Sequence, residues 1–271
     1  MNMKKSLFTI SLILALVGVV LICYYFIIPF VSPLKKQPPL PTSPELAEIQ
    51  KRGKLIIGTE ALYPPMEYFD ENGNIVGIDI EIGKRIAGSL GVQAEFRHIP
   101  WQELFDKLLE KEVDILISAI TILPEREEIM AFSKPYFNAG QIIVTTKDKA
   151  NVIKGVEDLH DKKIGVQAQT TSEEEALKIS TNVISYADYE EAKKDLLEGK
   201  IDAIIIDYPA AIGMTSQIKE LTIVGKPFTQ EFYGIALRKE DQALLEAINQ
   251  ILSEMQRRGE LEEIISQWIK R

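Results

Sequence analysis

Val113-Asp114-Ile115-Leu116-Ile117 runs directly into Ser118-Ala119-Ile120-Thr121, and past Pro124 it is followed by Arg126. A short apolar run bounded by turn-forming and polar residues reads as a buried strand of a parallel sheet. The strand exits into small hydroxyl side chains, and strand exits are where α/β proteins place ligands. Arg126 follows within one turn, and a planar guanidinium is the side chain best shaped to take a carboxylate. On this segment alone, a strand cap with a surface arginine fits equally well.

On both sides of this stretch, strands and helices alternate. Leu55-Ile56-Ile57 reads as a buried strand. Asp79 is placed to N-cap a helix carrying Ile82, Ile86 and Leu90, with Gly91 as its stop. Ala94-Glu95-Phe96 reads as a strand, and Trp101 to Glu110 as a helix with Leu104, Leu108 and Leu109 inward. A second series runs from strand Lys163-Ile164-Gly165-Val166 through a helix after Thr171 to strand Val183-Ile184. It continues with helix Glu190 to Leu197, strand Ile201 to Ile206 and strand Thr222-Ile223-Val224. Such alternation predicts parallel sheets covered by helices. Two amphipathic helices close the sequence, one with Leu244, Ile248, Ile251, Leu252 and Met255 on its apolar face, the other with Leu261, Ile264, Ile265 and Trp268. They are expected to pack on the first lobe, with Trp268 as core or cover.

The chain repeats itself. Leu108-Leu109-Glu110-Lys111-Glu112-Val113-Asp114-Ile115-Leu116-Ile117 resembles Leu196-Leu197-Glu198-Gly199-Lys200-Ile201-Asp202-Ala203-Ile204-Ile205. Each copy is a helix end, a turn and a strand. Polar residues follow at each strand exit: Ser118 and Thr121 in one copy, Asp207 in the other. Two such lobes make a cleft between their strand ends. Asp207 also fits an ordinary helix cap, and Tyr63 or Trp101 an ordinary core aromatic.

The chain has 271 residues, 46% hydrophobic, with a formal net charge of -9. Residues 1–36 contribute four lysines and no acid, so the remainder carries -13. A body so acidic repels phosphate backbones, which excludes nucleic acid as an expected partner. One cysteine, Cys23, permits no disulfide within the chain, and His98 and His160 lie far apart, so neither a metal site nor a Cys–His nucleophile is expected. No cofactor is expected.

Lys4-Lys5 precede an apolar run from Leu7 to Val31, about 25 residues and enough to cross a bilayer. It lacks the small-x-small ending of a cleaved signal. Ile22 precedes Cys23 where a lipid-modified signal has Gly, Ala or Ser. Residues 1–31 are therefore expected to be a cytoplasmic stub and an uncleaved anchor, with cleavage or lipidation at Cys23 as the alternative. Residues 32–44 hold five prolines and read as a stiff spacer. The folded body begins near Glu45.

Several stretches jointly resemble the solute-binding proteins of amino-acid ABC transporters (family 3, periplasmic-binding-protein type II). They are Gly58 to Tyr68, Gly77 to Glu81, Asp114 to Arg126, Phe132 to Tyr136, Gly165 to Thr171, Asp202 to Asp207 and Tyr233 to Ala236. The resemblance covers nearly all of 45–271. It implies an α/β, two-lobed Venus-flytrap fold with lobe 1 at 45–139 plus 230–271 and lobe 2 at 140–229. It implies capture of a free polar or basic L-amino acid, delivered by a monomer to permease subunits outside the cytoplasm. Carried over by position, Arg126 would hold the ligand carboxylate, with Thr170 and Thr171 adding hydroxyl and amide donors at a helix start. Asp207 would hold the ammonium, helped by Thr121 and a carbonyl near Ser118 or Ala119. Tyr63 and Trp101 would bracket the side chain. Glu60 stands where the family usually has Asp, Ala119 and Gln169 stand at frequent Gly positions, and Leu123 replaces a common Thr.

Elementary electrostatics agrees with that assignment. A free amino acid carries opposite charges on one carbon, and burying them requires a cation for one and an acid for the other. Thr171 and Glu174 are placed to form a capping box at the carboxylate seat. Glu60 fits either a cationic or amide ligand side chain or a rim salt bridge. A cyclohexadienyl-dehydratase-like enzyme needs a buried proton donor, for which Glu60 is the candidate. A ligand sensor on the same fold is the remaining alternative.

Overall fold

The computed structural model describes residue 41 and residues 43–269. The expected membrane segment at 1–31 and most of the proline-rich spacer lie outside the described residues. Among the described residues, no helix is long and apolar enough to cross a membrane.

Two five-stranded sheets organise the body. The first has the spatial order Gln93–His98, Lys54–Thr59, Ile115–Leu116, Ala236–Leu237, Ala131–Phe132. The second has the order Val183–Tyr186, Ile164–Gln167, Ala203–Asp207, Gln141–Thr146, Leu221–Val224. In each, the first three strands are parallel. The fourth runs antiparallel to both its neighbours. The all-parallel expectation is thus corrected. The fourth strand of each sheet is laid down just after the chain crosses from the other lobe, so it enters from the opposite end and runs against the rest. The two crossings pair with each other as a ribbon, Phe137–Ala139 against Glu231–Tyr233. Each sheet has its own apolar core, one centred on Leu104, Leu108 and Leu116, the other on Ile143, Ile164 and Ile205. Each fully buried side chain of this size stabilises by about 1.5–3 kcal/mol relative to exposure.

The ten-residue repeat occupies equivalent places in the two lobes. Helices Trp101–Leu109 and Tyr189–Leu197 both end in a left-handed residue, Lys111 (φ 64°) and Gly199 (φ 71°). The amides of Lys111 and Glu112 reach back to the carbonyls of Leu108 and Lys107, and those of Gly199 and Lys200 to Leu196 and Asp195. This is the Schellman arrangement that ends a helix and turns the chain into a strand. The repeated aspartates do equivalent work. Asp114 Oδ2 accepts from the Ile56 amide at 2.7 Å and Asp202 Oδ2 from the Lys163 amide at 3.0 Å, so each ties the third strand to the start of the second. Regular pairing in the opening stretch is confined to Ile115–Leu116, and Val113 and Ile117 continue it as buried extensions.

Helix starts differ from the sequence reading in two places. Helix Ile78–Ser89 is preceded by Gly77 at its N-cap, and Asp79 lies inside the first turn with its side chain buried. The Asp79 carboxylate is taken up by groups elsewhere in the lobe, so it does not cap. Helix Thr171–Ile179 is capped by Thr170, whose hydroxyl accepts from the Glu173 amide, and Glu173 in turn accepts from the Gln169 amide at 2.7 Å. The capping pair is therefore one residue earlier than Thr171 and Glu174. The final helices, Gln242–Arg258 and Glu260–Trp268, pack on helix Ile78–Ser89, and Trp268 meets Tyr68 edge-on with ring centres 6.1 Å apart.

Candidate functional site

The strand exits of both sheets face one cavity between the lobes, the place where α/β folds set their ligands. Glu60, Tyr63, Trp101, Ser118, Ala119, Thr121 and Arg126 line it from the first lobe, and Thr170, Thr171 and Asp207 from the second. Gln169 is the exception among the sequence-selected residues. Its side chain is exposed and does not line the cavity. Its backbone takes part instead: the Gln169 carbonyl accepts from the Trp101 indole at 3.0 Å. Gln169 (φ 62°) and Ala119 (φ 48°) both hold left-handed backbone, at the two positions where the resemblance leads one to expect glycine. An L-residue there costs roughly 1–2 kcal/mol, so local hydrogen bonds must hold the corner in place.

Arg126 sits in the short helix Pro124–Glu127 and is 9% exposed. Its guanidinium lies against Trp101 and Phe105, 5.4 Å from each ring centre. One nitrogen donates to the Thr121 carbonyl at 3.0 Å. No carboxylate of the described residues lies within ion-pair distance of it. Burial pulls its pKa down, yet an arginine stays charged in a protein. It is a buried cation whose anion is not supplied by the described residues.

Asp207 is the mirror case. It ends strand Ala203–Asp207 and precedes helix Tyr208–Gln217, but its side chain makes no cap hydrogen bond. The carboxylate turns into the cavity and accepts from Gln141 Nε2 at 2.6 Å, from the Tyr233 hydroxyl and from Tyr63. Burial, with no cation in ion-pair contact, raises its pKa to about 7. Gln141 also donates to Thr171 Oγ1 at 3.1 Å and accepts from Ser172 Oγ at 2.8 Å, so one amide sets the Asp207 carboxylate and the helix start together. Thr170 takes the Glu173 and Glu174 amides, which leaves those of Thr171 and Ser172 without an intrahelical acceptor and suited to a carboxylate.

Glu60 leaves strand Lys54–Thr59 and faces Gln167 at the exit of the matching strand in the other lobe. Gln167 Nε2 lies 2.9 and 3.1 Å from its two oxygens. Glu60 is 4% exposed, and desolvation raises its pKa to about 7. No cation of the described residues pairs with it, so the rim salt bridge is not formed. Aromatic walls complete the site. Tyr63 meets Tyr189 with ring centres 5.9 Å apart, and Trp101 stands on the opposite lobe from Tyr189.

The lobes are shut over this cavity. Besides the Glu60–Gln167 and Trp101–Gln169 contacts, Gln102 Nε2 donates to the Ala187 carbonyl at 2.9 Å. Gly213 lies so close to the first lobe that a Cβ there would stand 2.3 Å from the Pro64 carbonyl oxygen.

Sequence reasoning missed Glu67, Gln167, Ser172 and Tyr189, which also line the cavity, and Gln141 and Tyr233, which hold Asp207. Tyr189 had a signal: it stands seven residues before Leu196, as Trp101 stands seven before Leu108, so the repeat places both aromatics at the same helix start.

Likenesses to known proteins bear on this site. The model of the bacterial extracellular solute-binding proteins, family 3, matches residues 55–271. The L-cystine-binding protein TcyJ of Escherichia coli is 33% identical over 226 residues, 82% of this chain and 85% of the relative. The arginine-bound form of truncated ArgBP from T. maritima superposes with a TM-score of 0.73 at 41% identity, covering 77% of this chain and 99% of that one. An ancestral amino acid-binding protein described as a precursor of cyclohexadienyl dehydratase superposes at 0.78 with 37% identity, covering 83% and 100%.

Proposed function

The chain belongs to the bacterial extracellular solute-binding proteins, family 3, the substrate-binding components of amino-acid ABC transporters, and from that premise we propose that its cleft takes a basic L-amino acid of the arginine type. The observation that carries the reading is a set of three buried ionisable side chains in one cavity with no counter-charge from the described residues: Arg126 without an anion, and Asp207 and Glu60 without a cation. Isolated buried charges cost several kcal/mol each. A basic amino acid supplies all three counter-charges at once. Its carboxylate meets Arg126, the Thr170 and Thr171 hydroxyls and the helix-start amides. Its ammonium meets Asp207, Thr121 and the Ser118–Ala119 carbonyls. Its side-chain cation reaches Glu60 between the faces of Tyr63, Trp101 and Tyr189. The arginine-bound relative supports the same class.

Binding energy drives a shift between open and closed lobes, and the closed monomer docks on permease subunits. Lobe 1 is assigned to 45–139 plus 230–271 and lobe 2 to 140–229, the boundaries falling at the crossing ribbon. Residues 1–31 hold the protein at the outer face of the membrane, with 32–44 as the tether; release by alkaline carbonate extraction would count against the anchor.

A thermal-shift screen of the full-length chain in mild detergent, against the common amino acids and cystine, tests the reading. A ligand at a hundred times its Kd stabilises by about 2.7 kcal/mol. The largest shift is expected with L-arginine or L-lysine. Silence across the screen overturns the proposal. A dehydratase-like enzyme has one observation in its favour, a buried Glu60 carboxyl lining the cavity with no cation beside it, and turnover of prephenate or arogenate by the chain would establish it over reversible binding.

A further inference from the structure

Behind the ammonium seat lies a second acidic feature that ligand contact alone does not explain. Glu67, on strand Glu67–Phe69, is 1% exposed, and Asp79, in helix Ile78–Ser89, is 0% exposed. The two side chains meet. Glu67 Oε1 accepts from Ser118 Oγ at 3.0 Å, and that hydroxyl accepts in turn from the Glu60 amide at 2.8 Å. Asp79 Oδ2 accepts from the Ala119 amide at 2.8 Å and from the Tyr136 hydroxyl at 2.9 Å. The other two oxygens, Glu67 Oε2 and Asp79 Oδ1, are buried and receive no donor from the described residues. No lysine or arginine of the described residues pairs with either group. The titratable groups facing the pair are Glu60, Tyr63 and Tyr136, none of them cationic.

Two carboxylates in contact, each with an orphaned oxygen and no cation nearby, satisfy each other only when one brings a proton. We propose that Glu67 and Asp79 share a single proton across those oxygens, and that this acid–carboxylate pair positions the left-handed Ser118–Ala119 corner for the ligand ammonium. Glu67 is the member that keeps the proton. Burial and the neighbouring Asp79 charge hold its pKa well above the usual range, whereas Asp79 has the Ala119 amide and the Tyr136 hydroxyl to stabilise its charge. Glu67 and Asp79 are thus positioning residues acting through Ser118 and Ala119. The part concerning the ammonium rests on the function proposed above, while the shared proton does not.

The test compares the full-length chain with its Glu67→Gln variant from pH 5 to 9. A glutamine presents a permanent N–H to Asp79 and keeps an acceptor for Ser118. Without ligand, wild type must hold a proton that the unfolded chain releases, so it loses stability with rising pH relative to the variant. The variant's Tm advantage is expected to widen by about 3 °C per pH unit while Glu67 stays protonated. Contributions of Glu60 and Asp207 are common to both chains and cancel in the difference. Parallel Tm curves would overturn the shared proton. With L-arginine as the probe, wild-type affinity is expected to weaken at the alkaline end more than that of Glu67→Gln, as ionisation of Glu67 loosens the corner. Identical alkaline profiles would overturn the positioning role. If wild type binds no amino acid, the ligand reading fails, and the Tm comparison still decides the proton.

Discussion

Replacing Glu60 with glutamine should change how many protons leave when arginine binds. In the ligand-free cleft, Glu60 and Asp207 both have pKa values raised to about 7 by burial. At pH 6 each is then about nine-tenths protonated. Arginine brings two cations and holds both carboxyls ionised in the complex, so its binding at pH 6 releases about 1.8 protons. Glutamine brings one cation, to Asp207, and releases about 0.9. Each linked carboxyl costs about tenfold in affinity between pH 8 and pH 6, so arginine loses about a hundredfold and glutamine about tenfold. In Glu60→Gln the arginine values fall to those of glutamine. Titration calorimetry in two buffers of different ionisation enthalpy counts the protons directly. The ligand-free protein runs the other way. A carboxyl whose folded pKa is raised binds its proton more tightly folded than unfolded, so stability declines from about pH 4 up to pH 7 while affinity climbs. Equal proton release for arginine and glutamine in wild type would refute the assignment of Glu60 to the ligand side chain. A pH-independent Kd for both would refute the role of Asp207 as well.

Arg126→Lys removes the planar fork and its stacking between Trp101 and Phe105, and should weaken every amino acid by a similar factor, on the order of a hundredfold, regardless of side chain; a ligand-selective loss in equilibrium dialysis would argue against a carboxylate seat. Gly213→Ala places a Cβ against the Pro64 carbonyl and should keep the lobes apart. Small-angle scattering with saturating ligand should then show a larger radius of gyration than wild type, and an unchanged radius would remove Gly213 from the closing surface. Lys111→Gly relieves a left-handed lysine at the end of helix Trp101–Leu109 and should raise stability by up to about 1 kcal/mol, while Gly199→Ala at the matching position should lower it by about the same amount. In urea denaturation, a lower midpoint for Lys111→Gly or an unchanged one for Gly199→Ala would refute the equivalence of the two turns.

The lobes and most of the cleft were legible because their signals are local. Helix stops at Gly91 and Gly199, strand runs such as Ala203 to Ile206 and the ten-residue repeat are written in consecutive residues. Arg126, Asp207 and Glu60 stood out because isolated charges follow apolar strands. What stayed hidden depends on residues far apart in sequence. Gln141 reaches Asp207 across 66 positions, Tyr233 across 26, and Gln167 reaches Glu60 across 107. A glutamine at a strand end has no pattern of its own. Asp79 looked like a cap because aspartate near a helix start usually is one, and only the fold shows its side chain turned inward to the Ala119 amide. The antiparallel fourth strands escaped notice because a parallel sheet and a mixed one share the same apolar run.

The way each sheet borrows its fourth strand fixes the order in which the halves are finished on the ribosome. Every strand of the second sheet lies within residues 141–224, one uninterrupted length. The first sheet waits for Ala236–Leu237, which fills the slot between Ile115–Leu116 and Ala131–Phe132. Until that segment emerges, two of its strands stand with open edges facing an empty lane, and such unpaired edges invite wrong partners. The half that starts synthesis first is therefore completed last, around a neighbour that is already whole.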